Sequence, residues 1–267
     1  MSTRLLLCPS SAAPLDANLE SGYREGMKPR SLATLAILAI LTLTGCASAP
    51  THYGQQQSYL APKANGYPYL LFVPATKPQP HKGWPLLIFL HGSGERGADI
   101  EMVKVHGPPK LVSSQPDFPF VTVSPLLEAG GKWDVAKLEA MLRQTRRKLR
   151  IDPARIYLTG LSLGGHGAWR WASTNPGLFA AIVPISGRGD PSIACALKGL
   201  PAWAFHGATD SVVPAEGSTR MVDAINTCGG EARITLYPDL GHDAWTRTYA
   251  NPALYDWLLQ HRRTTRR

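Results

Sequence analysis

The sequence predicts an α/β fold, a mainly parallel sheet with helices on both faces, and three observations carry that expectation. Apolar strand-like runs alternate along the chain with segments of helical periodicity. Pro85-Leu-Leu-Ile-Phe-Leu90 is apolar at every position, the pattern of a strand buried on both faces. A third run, Ala154-Arg-Ile-Tyr-Leu-Thr159, feeds through Gly160-Leu-Ser-Leu-Gly164 directly into Gly164-Gly-His-Gly-Ala168, which opens a helix. That strand, sharp turn and helix in succession are typical of sheets that carry a reactive group at their carboxyl edge.

Taken in chain order, the first segment is a targeting pattern. Met27-Lys-Pro-Arg30 is basic, Leu32 to Leu43 is apolar, and Leu43-Thr-Gly-Cys46 closes the stretch. It resembles a bacterial lipoprotein signal, which implies a signal peptide over 27–45 and lipidation of Cys46 as the first mature residue. The apolar stretch is short for a transmembrane helix. Residues 1–26 are then an over-long start or an extended leader. The expected location is the cell envelope, lipid-anchored in the outer membrane and facing the periplasm. Ala47-Ser-Ala-Pro-Thr-His and Gln55-Gln-Gln read as a polar tether over 46–60. The folded α/β domain is expected over 61–262 with a basic tail at 263–267, and His261-Arg-Arg-Thr-Thr-Arg-Arg267 reads as frayed.

Within that domain the strand cores are Tyr67–Pro74, Pro85–Leu90, Phe120–Val123, Arg155–Thr159, Ala181–Ile185, Trp203–Phe205 and Ile234–Leu236. Helical patterns occupy Val135–Leu149, Leu163–Ser173, Ser218–Thr227 and Ala253–Leu259, and Asn175-Pro-Gly177 stops the second of them. Only Gly187 to Gly199 separates the strand after the Leu163–Ser173 helix from the next strand, which leaves no room for a lid domain.

A chain of 267 residues suits one α/β domain with a large core. Its formal charge of +9 raises the question of nucleic acid. The basic residues are dispersed, however, and their densest run, Arg143 to Arg150, lies largely outside the apolar stripe Val135, Leu138, Leu142, Thr145 and Leu149. It reads as a solvated helix face, and no nucleic-acid partner is expected. Of the four cysteines, Cys8 is lost with the leader and Cys46 is acylated, so Cys195 and Cys228 remain. An oxidising envelope permits a disulfide between them, and two free thiols are the alternative. Neither sits in a metal-ligand spacing, and no metal or cofactor is expected.

The chemistry-bearing residues follow from Gly160-Leu-Ser162-Leu-Gly164. A Gly-x-Ser-x-Gly turn between strand and helix lifts a serine hydroxyl above the sheet, with the helix N-terminus behind it. Downstream, Leu200-Pro-Ala-Trp-Ala-Phe-His-Gly207 leads to Asp210 in the loop past a strand end, the expected orienting acid. Ala232-Arg-Ile-Thr-Leu-Tyr-Pro238 leads to His242 in Gly241-His-Asp-Ala-Trp245, the expected base. Upstream, His91-Gly-Ser-Gly-Glu-Arg-Gly97 is a loop able to turn N–H groups inward. The oxyanion donors are expected to be the N–H groups of Leu163 and Ser93.

Other residues compete for these roles. His91 and His206 each end a strand before glycine and read as hydrogen-bonding loop backbone rather than as bases. His166 reads as packing near the site. Asp239 is the rival to Asp210, whereas the Asp243 side chain diverges from that of His242. Asp152-Pro153 reads as a turn. Trp133 and Trp245 are candidate substrate-binding faces as well as ordinary half-buried aromatics, and Glu95 with Arg96 are expected to pair and stiffen the oxyanion loop.

Four blocks of the chain, His91–Gly97, Tyr157–Trp169, Trp203–Asp210 and Gly241–Trp245, resemble the phospholipase/carboxylesterase-related group of bacterial α/β-hydrolases. The similarity spans roughly Ala61 to Leu259. The resemblance implies the α/β-hydrolase fold and the roles of Ser162, Asp210 and His242. Members carry the labels of esterases or peptidases. The expected activity is therefore hydrolysis of carboxylic esters, of short acyl or aryl-acyl groups and on carbohydrate among other alcohols. The substrate is a small molecule or a polysaccharide-linked ester. A serine peptidase of the same fold and a non-catalytic envelope binding protein are the alternatives.

Overall fold

The computed structural model describes residues 52–60, 66–75 and 79–263. The expectations for 1–26, the signal peptide at 27–45 and Cys46 lie outside the described residues. Among the described residues no helix is long and apolar enough to cross a membrane.

Eight strands build one sheet: β1 (Gln56–Tyr59), β2 (Tyr69–Phe72), β3 (Trp84–Leu90), β4 (Val121–Pro125), β5 (Ile151–Leu161), β6 (Ala181–Ile185), β7 (Ala202–Gly207) and β8 (Ala232–Tyr237). Their spatial order is β1-β2-β4-β3-β5-β6-β7-β8. The β1–β2 and β2–β4 pairs are antiparallel, and every pair from β4 through β8 is parallel. The helices are α1 (Gly107–Leu111), α2 (Val135–Lys148), α3 (Leu163–Thr174), α4 (Glu216–Thr227), α5 (Trp245–Tyr249) and α6 (Pro252–Gln260).

The unbroken apolar runs of β2, β3 and β6 are explained by what covers them. Every residue of these strands is buried. Along β3 the side chains alternate: Leu86, Ile88 and Leu90 pack with Met141 of α2, Trp169 of α3 and Met221 of α4. Leu87 and Phe89 point the other way, into a second core with Tyr249 of α5 and Leu258 of α6. A period of two with both faces covered needs an apolar residue at every position. The expectation of helices on both faces thus matches the observed layers.

Two boundary expectations are corrected. Gln56–Tyr59, expected within a polar tether, forms edge strand β1 and pairs in register with β2, Gln56 opposite Phe72 and Tyr59 opposite Tyr69. An edge strand with an open side accepts polar side chains, so Gln55-Gln-Gln carries no strand signal. At the other end Arg262 and Arg263 are not frayed. Asp152 is buried, and its Oδ2 accepts from Arg155 Nε and Arg262 Nη2 at 2.9 Å each, while the Arg263 N–H donates to Ala154 O at 2.9 Å. Asp152 itself lies inside β5 rather than in a turn before it.

The link after β6 is short, as expected. It contains a 3₁₀ turn, Pro191–Leu197, started by Asp190, whose carboxylate accepts from the Ser192 N–H at 3.0 Å. A disulfide joins Cys195 of this turn to Cys228 at the end of α4, with Cα atoms 5.2 Å apart. The link after β6 is therefore a disulfide-stapled turn.

Candidate active site

The site begins with backbone conformation. Ser162 sits between the last residue of β5 and the first of α3 with φ of 51° and ψ of −115°, a region sparsely used by residues with a Cβ. Its N–H donates to Ile185 O at 2.9 Å and its carbonyl accepts from the His166 N–H at 3.0 Å, so the strained residue is clamped on both sides. The turn is that tight because two glycines let backbones meet. A Cβ on Gly164 would overlap the Leu90 carbonyl and stand 2.7 Å from His91 O. Gly164→Ala should therefore destabilise the fold by about 3 kcal/mol, because a backbone carbonyl inside a central strand cannot step aside. For a domain of this size that is a fall of roughly 6–12 °C in melting temperature, read by thermal unfolding.

Three side chains from separate loops converge on this turn. His242 Nε2 lies 2.9 Å from Ser162 Oγ, and His242 Nδ1 lies 2.7 Å from Asp210 Oδ2. Asp210 Oδ1 accepts from the N–H groups of Val212 and Val213, both at 2.9 Å. Burial pushes the Asp210 carboxyl up, but the bonds from His242, Val213 and Val212 outweigh it and hold the group below the usual carboxylate range. An ionised Asp210 requires a proton on His242 Nδ1, which leaves Nε2 as an acceptor toward the serine hydroxyl. Ser186, with φ of 48°, donates its hydroxyl to His242 O at 2.9 Å and so anchors the histidine backbone. Asp239, the rival acid, is exposed and faces Arg247 through two bonds of 2.8 and 2.6 Å. Asp243 bonds the N–H and hydroxyl of Thr246 at the start of α5.

The loop after β3 borders the serine. A Cβ on Gly92 would lie 3.5 Å from Ser162 Cβ, and Ser93 is the next residue, exposed at the loop tip. Leu163 is the first residue of α3, where an N–H has no acceptor within its own helix. His91 is wholly buried; its Nε2 accepts from the Leu127 N–H at 3.0 Å, and its Nδ1 faces Gly92 O at 2.7 Å. Burial lowers its pKa to about 4, so it is a neutral brace of the loop backbone, as expected. Glu95 and Arg96 do stiffen the loop, but not by pairing with each other. Glu95 Oε2 accepts from the Gly92 N–H at 2.8 Å, whereas Arg96 donates to Ser93 O at 3.0 Å and Gly131 O at 3.1 Å.

The two tryptophans part company. Trp133, expected as a substrate-binding face, is 4% exposed; its indole N–H donates to His91 O at 3.3 Å and its ring meets His91 edge-on at 5.0 Å. It is a strut beneath the loop, and burial leaves it no surface for a ligand. Trp245 is only half-buried and stands perpendicular to the His242 ring, centroids 5.1 Å apart. Together with His106, Leu111 and Tyr249 it lines a cavity of about 200 Å³. Two further clefts, of about 440 and 390 Å³, share Arg188 in their walls, the second also lined by His166. Burial lowers the His166 pKa, and the charges of Arg188, His242 and His206 lower it further. Among the described residues no cluster of His, Cys, Asp or Glu is arranged to hold a metal ion. His106 beside Trp245, and Ser186 beneath His242, were not anticipated from the sequence, where neither falls in a recognisable motif.

Comparison with known proteins adds a family match. The dienelactone hydrolase family matches residues 122–256. A Yersinia pestis protein provisionally named a carboxymethylenebutenolidase is 27% identical over 142 residues, 41% of this chain and 48% of that one. A protein of Aspergillus terreus described as a probable feruloyl esterase C is 25% identical over 224 residues, 82% of this chain and 81% of that one. Among solved structures, a thermostable esterase superposes with a TM-score of 0.65 at 31% identity, over 78% of this chain and 63% of that one. The chain spans about half the length of the first curated relatives it matches.

Proposed function

Since the chain belongs to the dienelactone hydrolase family, we propose that it is a serine hydrolase that cleaves carboxylic esters through an acyl-enzyme. The observation that carries this is the continuous Ser162–His242–Asp210 array, 2.9 and 2.7 Å per link, with the serine on a strained turn at a helix N-terminus. His242 takes the Ser162 proton as Oγ attacks the acyl carbonyl, and Asp210 stabilises the imidazolium without taking the proton. The N–H groups of Leu163 and Ser93 receive the oxyanion, at about 3 kcal/mol each. His242 then protonates the leaving alcohol, and a water molecule activated by the same imidazole releases the acid.

The surroundings favour a small acyl group on a large alcohol. A cavity of about 200 Å³ is lined by Trp245, whose ring also meets His242, together with Leu111, Tyr249, Lys110 and Thr246, a space suited to a short chain or one aromatic ring. The feruloyl esterase named among the relatives is described as acting on an ester of that kind. A long acyl chain gains about 0.8 kcal/mol per methylene only where water is excluded, and the stapled turn after β6 provides no cover. The open clefts on the Arg188 side leave space for a bulky alcohol portion.

The test is kcat/KM across acyl chains from acetyl to palmitoyl on one leaving group, with aminoacyl and peptidyl amides alongside. We expect the highest values for acetyl to butyryl and for aryl-acyl esters, a decline toward palmitoyl, and little turnover of amides. A value that climbs steadily to palmitoyl, or jumps at a lipid interface, overturns the acyl preference. Faster turnover of peptidyl amides replaces the esterase reading with a peptidase.

A further inference from the structure

We propose that His206 is a second imidazole on the carboxylate of Asp210, a positioning residue that fixes the acid and limits how much of its charge reaches His242. The proposal rests on the serine-hydrolase reading above. His206 lies near the end of β7 and is wholly buried. Its Nε2 is 3.1 Å from Asp210 Oδ2 and 2.8 Å from Val213 O. Both neighbours accept at this geometry, since the carbonyl has no proton and Asp210 is held ionised. Nε2 therefore carries a proton and donates it.

The other side of the ring meets one hydroxyl, whose single proton lies within reach of both the ring and a carbonyl. Nδ1 lies 2.8 Å from Ser218 Oγ, and that hydroxyl lies 3.1 Å from Gly187 O. Ser218 is in the first turn of α4 and Gly187 is in the link after β6, so the ring ties the acid loop to two neighbouring elements. Asp210 is thereby approached on both oxygens: two amides donate to Oδ1, and Oδ2 takes His242 Nδ1 together with a share of the His206 Nε2 proton, which also faces Val213 O. A carboxylate held by donors on both oxygens is restrained against rotation.

The consequence reaches the base. A second donor on Oδ2 draws negative charge from the oxygen that His242 Nδ1 uses, which weakens the attraction between Asp210 and a protonated His242. The other groups placed to act on this pair are His166 of α3, whose field includes both His206 and His242, and Arg188 of the link after β6, whose charge also reaches His166. Neither is hydrogen-bonded to Asp210.

Two substitutions separate this role from packing. His206→Gln puts an amide nitrogen near the place of Nε2 and keeps a donor on Asp210. His206→Asn puts its amide near the place of Nδ1 and removes that donor. Both lose the ring, so both should lower the melting temperature. We expect kcat to fall about tenfold or more in the Asn variant and to stay within about threefold in the Gln variant, since loss of alignment alone costs up to about a hundredfold. The acid limb of kcat/KM against pH should move upward in the Asn variant, where Asp210 loses its second donor, and stay closer to wild type in the Gln variant. Equal losses in the two variants with an unmoved acid limb overturn the proposal and leave His206 as packing. The wild-type protein offers an independent reading: ¹⁵N chemical shifts of the histidine rings should show a proton on His206 Nε2, and a bare Nε2 overturns the proposal even if neither variant folds. Retained activity in Ser162→Ala would instead overturn the serine mechanism itself.

Discussion

Ser162→Ala should remove about 10⁴-fold or more of kcat on a short-chain aryl ester while leaving the protein folded. The hydroxyl is the atom that bonds to the acyl carbon, so nothing else in the array substitutes for it. The structural cost is small by comparison. Ser162 Oγ bonds to His242 Nε2, and the clamps on the turn are made by the Ser162 backbone N–H and carbonyl, which alanine keeps. Alanine also inherits the φ of 51° with a Cβ already accommodated there. Residual turnover above water is expected from the oxyanion donors, which do not depend on the serine side chain. Steady-state kinetics of the purified variant, with circular dichroism and thermal unfolding as the check on folding, give the answer. Activity within a few fold of wild type would remove Ser162 from the mechanism.

The array is legible in the amino-acid sequence for a physical reason. β3 and β6 are covered on both faces, and this forces apolar residues at every position, so both strands announce themselves as unbroken runs. The strained turn at Ser162 forces small neighbours: Gly164 meets the Leu90 carbonyl, and no other residue type fits. Asp210 and His242 each follow a strand's carboxyl end, where successive loops of a parallel sheet gather. In each case the constraint acts on residues close together in sequence.

What escaped the sequence depends on contacts between distant segments. β1 is held by backbone bonds to β2 and leaves its side chains half-exposed, so Gln56 and Gln57 look like tether. Trp133 and Trp245 have similar local surroundings in sequence. One is buried because His91, 42 residues away, presents a carbonyl to its indole N–H, and the other lies open beside His242. Arg262 is held by Asp152, 110 residues away, whose burial inside β5 gives no local sign. His206 is intermediate: its position at a strand end before glycine was visible, but its bond to Asp210 depends on how the loop folds back by four residues.

Asp210→Asn should lower kcat by about 10³–10⁴-fold, and Asp239→Asn by no more than about twofold. Sequence alone leaves both as acids in loops past strand ends, and the geometry separates them. Asp210 has its side chain fully buried and accepts from His242 Nδ1 at 2.7 Å. An asparagine there presents a neutral amide, and with its oxygen turned to the Val212 and Val213 N–H groups its NH₂ faces His242 Nδ1 and His206 Nε2. His242 must then accept at Nδ1 and carry its proton on Nε2, the tautomer that cannot deprotonate Ser162. The loss is therefore one of rate, with substrate affinity largely retained. Asp239 sits in solvent, and its carboxyl is drawn down to about 2 by the hydrogen bond and charge of Arg247. Removing it breaks an exposed ion pair, an interaction of little consequence for stability, and touches neither His242 nor Ser162. Parallel measurement of kcat and KM in the two variants decides between them, and a larger loss in Asp239→Asn than in Asp210→Asn would transfer the acid role to Asp239.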